Sequence, residues 1–288
     1  MRKQKERNSI VIIVAYVVLG IISFMCIAPV VLMAVASFTD NDVLNLYGYT
    51  YFPQKWSLEA YEFLIKQGTV ISKSFLNSIL VTFMGTALGI MVTVLLAYTI
   101  SRKELVGRKL IMLFVFFTML FNGGMVPTYL MYTQIFHIKN TMWALLFPHL
   151  LVNGFNVLLV RTFFNENIPE VLLEAARIDG AGEISIFRNV VLPISKPILA
   201  TIGLLVGVGY WNDWYNAMLY ISDNEMFPLQ YFLYEQINNI QAYRKILSSA
   251  ASGAVAAAFN LPTQSLKMAL TVVATGPIVF AYPFVQKY

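Results

Sequence analysis

Six stretches of this sequence are apolar over the length that a helix needs to cross a lipid bilayer, and they leave little chain for anything else. They run from about Ser9 to Phe38, Phe75 to Ile100, Leu110 to Tyr132, Thr141 to Phe164, Ile194 to Ile221 and Gln264 to Val285. At about 1.5 Å of rise per residue, ~20 residues cross ~30 Å of hydrocarbon. The expected fold is therefore all-α, a polytopic membrane protein of about six transmembrane helices. Composition agrees: 12% of residues are charged, against about 25% in a soluble domain. The third run is interrupted by Asn122-Gly123-Gly124 and Pro127, and the fourth contains Pro148, Asn153, Gly154 and Asn156.

The net charge of +5 would hint at nucleic acid in a soluble protein. Here the basic residues flank apolar runs, so they report orientation instead. Arg2, Lys3, Lys5 and Arg7 lie in a basic tail of residues 1–8, ahead of a transmembrane domain spanning 9–288. Arg102, Lys103, Arg108 and Lys109 follow the second run, and Arg161, Arg177, Arg188 and Lys196 surround the fourth-to-fifth connection. The positive-inside rule places these segments and both termini in the cytoplasm. Ala34-Val35-Ala36 looks like a signal-peptide cleavage site, but the apolar run before it is far longer than the ~7–15 residues of such a leader. The first run is read as an uncleaved span. The single Cys26 lies inside it and forms no internal disulfide.

One charged island, residues 165–193, interrupts this apolar background. Asn165 and Asn167 are candidate caps, and Pro169 suits the first position of a helix beginning near Glu170. Leu172, Leu173 and Ala176 share one helical face, and Gly180 and Gly182 end the helix. A second short helix is expected over residues 185–191, stopping before Pro193. Within this helix–bend–helix, Glu174-Ala175-Ala176, Gly180, Val190, Leu192 and Pro193 resemble the EAA loop of ABC-importer permease subunits. That pattern reads EAA, three residues, Gly, nine residues, Ile, one residue, Leu-Pro; Val190 in place of Ile is the one departure. In the family this loop is the coupling helix that fits a groove on a cytoplasmic ATPase. The resemblance thus implies ATPase coupling by Glu174, Ala175, Ala176, Asp179, Gly180, Leu192 and Pro193.

The likeness extends along nearly the whole chain. The Trp211-Asn212 pair late in the fifth run and Pro228-Leu229-Gln230 are similar to the carbohydrate-uptake, MalG-like branch. The ending, from Leu261-Pro262-Thr263 through Thr275-Gly276-Pro277 to Tyr282-Pro283-Phe284, resembles the LplC/YtcP-type permeases of Gram-positive bacteria. Such permeases usually continue past a Gln-Lys-Tyr like Gln286-Lys287-Tyr288 into a short Gly-containing cytoplasmic tail. The resemblance implies a type I ABC-importer permease of a bacterial plasma membrane. It also implies a second homologous permease subunit, two ATPase subunits that bind the ATP and Mg, an extracellular solute-binding protein and an oligosaccharide cargo. The alternative is a stand-alone secondary transporter or channel, and a third class is a structural membrane protein.

No residue pattern supports catalysis in this chain. There is no Gly-x-x-x-x-Gly-Lys-Ser/Thr phosphate loop, so neither ATP nor any other cofactor is expected on it. His137 and His149 lack metal-ligand spacing, so no metal site is expected. Polar groups in the spans are more informative. Trp211, Asn212, Asp213, Trp214, Tyr215 and Asn216 lie together in the outer part of the fifth run. An acidic group at mid-membrane costs about 2.5–3.5 kcal/mol and normally faces a cavity or a partner. These residues read either as an interfacial belt or as a polar, aromatic wall for sugar rings. Asn122, Asn153 and Asn156 read equally as path residues or as interhelical hydrogen bonders. The outer loop, residues 222–263, starts with amphipathic material and reaches a tip of small residues around Ser252, Gly253 and Ala254. It reads either as a linker or, by the resemblance, as a segment that enters the binding protein.

Overall fold

The computed structural model describes residues 2–66, 68–148, 151–249 and 263–286. His149 and the tip residues Ser252, Gly253 and Ala254 lie outside the described residues. The helices in chain order are α1 (Arg2–Ser37), α2 (Asn41–Tyr47), α3 (Glu59–Lys66), α4 (Gly68–Ser101), α5 (Arg108–Leu120), α6 (Met125–Ile135) and α7 (Trp143–Leu146). They continue as α8 (Gly154–Asn167), α9 (Glu170–Ile178), α10 (Glu183–Ile194), α11 (Lys196–Trp211), α12 (Tyr215–Tyr220), α13 (Leu229–Ser249) and α14 (Thr263–Gln286). Among the described residues the sole β pairing is an isolated bridge between Thr39 and Trp56, so the all-α expectation holds. The chain divides into two compact units, Met1–Gly68 with Gln236–Gly276 and Thr69–Glu235 with Pro277–Tyr288.

In the first unit, α1 runs unbroken through Pro29, and its apolar side chains from Ile12 to Val31 are exposed. Only lipid or another apolar surface can cover a face of that size. Beyond α1 the chain folds back on itself. The Ser37 and Tyr61 hydroxyls lie 2.8 Å apart, and Phe38 stacks on the Tyr61 ring at 4.7 Å. Asp40 accepts from the backbone N–H of Asp42 at 3.0 Å, starting α2, and pairs with Lys55 at 2.6 Å. The Lys55 ammonium holds the Asp40 carboxyl below its ordinary pKa. The backbone N–H of Gln264, at the start of α14, donates to Asn41 Oδ1 at 3.0 Å.

The second unit departs from the simple picture of unbroken spans. Among the described residues two helices are by themselves long and apolar enough to cross a membrane: the apolar part of α1 and the 34-residue α4. The third apolar run turns through 116° between α5 and α6. The turn falls at the expected interruption, where Gly124 has φ +83° and its N–H donates to Asn122 Oδ1 at 2.8 Å. The fourth run is α7 and then α8, not one helix. Asn153 restarts the chain there by accepting from the N–H groups of Phe155 and Asn156 at 2.9 and 3.3 Å. The fifth run is also cut: α11 stops at Trp211 and α12 begins at Tyr215. Half of the expected outer loop is the 21-residue helix α13. Its start is fixed by Ser78 Oγ, which accepts from Leu229 N–H at 2.7 Å, and Leu229, Phe232 and Leu233 are buried.

Within this unit α4 and α11 meet through glycines, each covered by a side chain of the other helix. Gly85 and Gly89 on α4 face Tyr210 and Val206 on α11, while Gly203 and Gly207 on α11 face Ile90 and Thr86 on α4. Small residues four apart on each helix leave room for the side chains that the other presents, so the two pack without a hydrophobic driving force between them. The Tyr210 ring fills the space over Gly85, and its hydroxyl donates to the Leu146 carbonyl at 2.7 Å.

Candidate functional site

The charged island folds as the expected hairpin of helices, with three corrections. Pro169 is the N-cap of α9 and not its first helical residue, with ψ 132° and no side-chain cap. Asn167 is not a cap of α9: its Nδ2 donates back to the Phe163 carbonyl at 3.2 Å, at the end of α8. The second helix does not stop before Pro193. A π-helical turn over Phe187–Val191 widens the helix, Leu192 N–H bonds to the Phe187 carbonyl, and the helix continues to Ile194. Proline clashes with the carbonyl four residues back in an α-helix, and the wider π turn relieves that clash.

The bend between α9 and α10 is a left-handed stop. Gly180 has φ +81°, Ala181 N–H donates to the Ala176 carbonyl at 2.9 Å, and Gly180 N–H to Arg177 at 3.0 Å. Gly182 has φ −71° and heads α10. Nothing lies within 4 Å of a Cβ added at either glycine. Gly180→Val is therefore expected to slow transport more than Gly182→Ala, through backbone strain alone, since a left-handed L-residue costs roughly 1–2 kcal/mol. Equal transport rates for the two variants would show that Gly180 does not set the bend.

On α9, Leu173 is buried and Ala176 half-buried, while Leu172, expected on the same face, is exposed. The outward face is Val171, Glu174, Ala175 and Ile178, at the i, i+3, i+4, i+7 spacing of one helical stripe. Val171 is 71% exposed, Ile178 86% and Ile184 on α10 84%. So much bare apolar surface around one carboxylate marks an interaction face. Asp179 and Gly180 lie beside it, exposed, while Leu192 and Pro193 close α10.

Six residues hold the hairpin, of which Tyr98, Glu104 and Glu183 were not singled out in the sequence. Arg177 Nη1 reaches Glu104 Oε1 at 2.8 Å, and Nε and Nη2 reach Glu183 Oε1 at 3.1 and 3.0 Å. The Tyr98 hydroxyl donates to Glu183 Oε2 at 2.7 Å, and Lys103 pairs with Glu170 at 2.6 Å. The Tyr98 hydroxyl, ahead of the Arg177 guanidinium, keeps the Glu183 pKa below its ordinary value against the opposing effect of burial. The Glu104 carboxyl is lowered too, by its own backbone N–H and then by Arg177. The sequence signal was opposite charge in two short segments, but their pairing joins residues 67 and 73 apart.

The polar residues of the third and fifth runs meet at a cleft of about 560 Å³ lined by Asn122, Gly124, Met125, Gly209, Asn212, Asp213, Tyr215 and Asn216. Its volume suits a small organic ligand. Asp213 Oδ1 accepts from Asn216 N–H at 3.1 Å and Oδ2 from Asn216 Nδ2 at 2.7 Å, which fixes the start of α12. Asn216 Nδ2 also donates to the Pro148 carbonyl at 3.1 Å. Trp211, Trp214, Asn153 and Asn156 are not among the lining residues. Trp211 is buried, packs edge-on against Phe75 at 5.8 Å and borders a separate apolar cavity with Ile79, Phe83 and Leu204. Trp214 stacks on Tyr234 at 4.4 Å, and Asn156 is buried in α8.

Membrane-length apolar helices, a charged hairpin with exposed apolar side chains and a polar cleft among broken helices are the make-up of a transport permease. The family model described as a binding-protein-dependent transport system inner membrane component matches residues 85–288, and the chain belongs to that family. It is 36% identical to the polygalacturonan/rhamnogalacturonan transport system permease protein YtcP of Bacillus subtilis, over 98% of this chain and 96% of that one. It is likewise 36% identical to Protein LplC of the same organism, over 94% and 88%. The trehalose/maltose transport system permease protein MalG of Thermococcus litoralis is 28% identical, over 99% and 95%. A bacterial ABC transporter involved in the import of the acidic polysaccharide alginate contains a chain of the same fold, with TM-score 0.81, 28% identity and coverage of 98% and 97%. The type I importer fold, the MalG-like branch and the likeness to YtcP and LplC thus stand as expected. Membership in a binding-protein-dependent family sets aside the alternative of a carrier or channel working alone.

Proposed function

We propose that this chain is the permease subunit of an importer that moves an oligosaccharide across the plasma membrane by alternating access. The observation that carries the reading is the stripe of Val171, Glu174, Ala175 and Ile178, presented outward on a hairpin whose residues match the EAA spacing. Both termini and the hairpin face the cytoplasm in this reading, which the Lys and Arg distribution supports. Two ATPase subunits supply the ATP and Mg sites that this chain's sequence lacks, and one of them docks on the stripe. A second, homologous permease subunit completes the pathway, and an extracellular binding protein delivers the sugar. The segment around Ser252, Gly253 and Ala254 enters that protein's cleft, since backbone and methyl groups fit where larger side chains clash.

Asn122, Asn212, Asp213, Tyr215 and Asn216 form the part of the path this chain contributes. They supply hydroxyl partners and one aromatic ring, the two things a sugar surface needs. YtcP and the alginate importer carry acidic polysaccharides in their names, whereas no Lys or Arg lines this cleft. The cargo is therefore assigned only as an oligosaccharide. Reconstituted complex should take up labelled galacturonate trimer or maltotriose with ATP and the binding protein, and not with an ion gradient alone. Uptake driven by the gradient would sink the reading. In the same preparation, Asn212→Ala should raise the half-saturating sugar concentration about two- to tenfold, the worth of one hydrogen bond. Trp211→Ala should instead lower the yield of folded protein and leave that concentration unchanged.

A further inference from the structure

The two ends of the hairpin are joined to the rest of the chain very differently. At one end α9 follows α8 across only Ile168 and Pro169. At the other, α10 meets α11 at an angle of 80°, around Ser195. The axis turns there by that angle, so a push along α10 is not carried in line into α11. A different route is present. Tyr98, at the end of α4, is 9% exposed and packs on Phe164 of α8 at 6.4 Å and on Phe187 of α10 at 4.9 Å. Its hydroxyl holds Glu183, in the first turn of α10, and the other oxygen of that carboxylate receives the Arg177 fork from α9. Arg177 also holds Glu104, and Lys103 holds Glu170, both from the connection just after α4. The Arg102 guanidinium lies 4.5 Å over the Tyr98 ring.

We infer that this network is the load path: Tyr98, Arg177 and Glu183 are positioning residues that make α4 move with the hairpin when the ATPases close. The inference rests on the coupling role proposed above. A single exposed ion pair is weak. Here one guanidinium bonds two carboxylates from two segments, one of them also anchored by a buried tyrosine, so the parts hold one another in place. α4 then passes the motion on through the side chains that seat on the glycines between it and α11, whose last turn and the residues after it line the cleft. Docking and transmission are separated on α9: Glu174 and Ala175 face outward, while Arg177 faces the chain's own body.

The test follows a cysteine at Asn212, in the cleft, on a Cys26→Ser background, in the complete complex with its ATPase subunits. The rate of its labelling by N-ethylmaleimide is compared without nucleotide and with ATP, Mg and vanadate. The parent should show a difference of about tenfold, the usual scale of coupling between distant sites. Tyr98→Phe keeps the ring and removes only the hydroxyl; combined with Arg177→Met it should bring the two rates within about twofold, while the ATPase subunits stay bound and hydrolyse ATP. Arg177→Lys should restore part of the response, which a purely structural role would not require. A full response in the Tyr98→Phe/Arg177→Met chain overturns the inference, and so does loss of the ATPase subunits from it. Glu174→Lys is the separate control. If the cleft still responds in that variant, the coupling role of the hairpin is wrong; if the response is lost there but persists in the Tyr98→Phe/Arg177→Met chain, the load path alone is wrong.

Discussion

Glu174→Lys is expected to abolish transport and release the ATPase subunits while leaving the chain folded in the membrane. The hairpin carries several carboxylates, and the structure divides them by use. Glu170 and Glu183 are engaged with Lys103, Arg177 and Tyr98 of the same chain. Glu174 is exposed between Val171 and Ile178, and no ion pair among the described residues involves it. A charged group ringed by exposed apolar side chains, with the small Ala175 allowing close approach, has the make-up of an interface centre. Truncating such a residue typically costs at least about 2 kcal/mol, or roughly thirtyfold in affinity. Reversing its charge adds repulsion against whatever cation the partner presents. Because the Glu174 side chain makes no ion pair among the described residues, membrane insertion and yield should be unchanged. Co-purification of the ATPases and sugar-stimulated ATP hydrolysis on one preparation check this. Undiminished stimulation in the lysine variant would remove Glu174 from the interface.

What could be read in the sequence was whatever a local window contains. Run length marked the apolar segments, and the fixed spacing from Glu174 to Pro193 marked the hairpin. The Asn122-Gly123-Gly124 interruption even located the 116° turn. Readings failed where a distant partner or an unusual turn decided the outcome. Pro193 was read as a helix stop because proline normally is one, and a π turn five residues long overrode that rule. Asn153, read as a path or interhelical residue, spends its side-chain oxygen on the N–H groups that open α8. Trp211 and Asn212 are sequence neighbours with similar prospects as sugar contacts, yet successive helical residues point about 100° apart, and one packs on Phe75 while the other lines the cleft. The network of Tyr98, Lys103, Glu104, Glu170, Arg177 and Glu183 shows in the sequence only as opposite charge in two short segments, because pairing between residues 67 to 85 apart leaves no periodic trace.

The glycines between α4 and α11 give the second large effect, and those on the two helices should behave oppositely. A Cβ at Gly85 would lie 2.4–2.6 Å from three atoms of the Tyr210 ring. No real contact is that short, and the ring cannot swing aside freely, since its buried hydroxyl is bonded to the Leu146 carbonyl at 2.7 Å. A Cβ at Gly203 would meet the tip of Ile90 at 3.3 Å, a terminal methyl that a small rotamer change moves. Gly85→Leu should therefore cost about 3 kcal/mol or more, combining overpacking with loss of the tyrosine hydrogen bond. Gly85→Ala should fall in the same direction with a smaller size. Gly203→Ala should be neutral or stabilising, because alanine gains up to about 1 kcal/mol over glycine inside a helix. Thermal unfolding of the purified complex in detergent, followed by size-exclusion, ranks the variants. Tyr210→Leu shortens the opposing side chain, so adding it to Gly85→Ala should destabilise by less than the sum of the two single changes. Strict additivity would mean that the two residues do not share one contact, and Gly85 would then lose its role in seating α11 on α4.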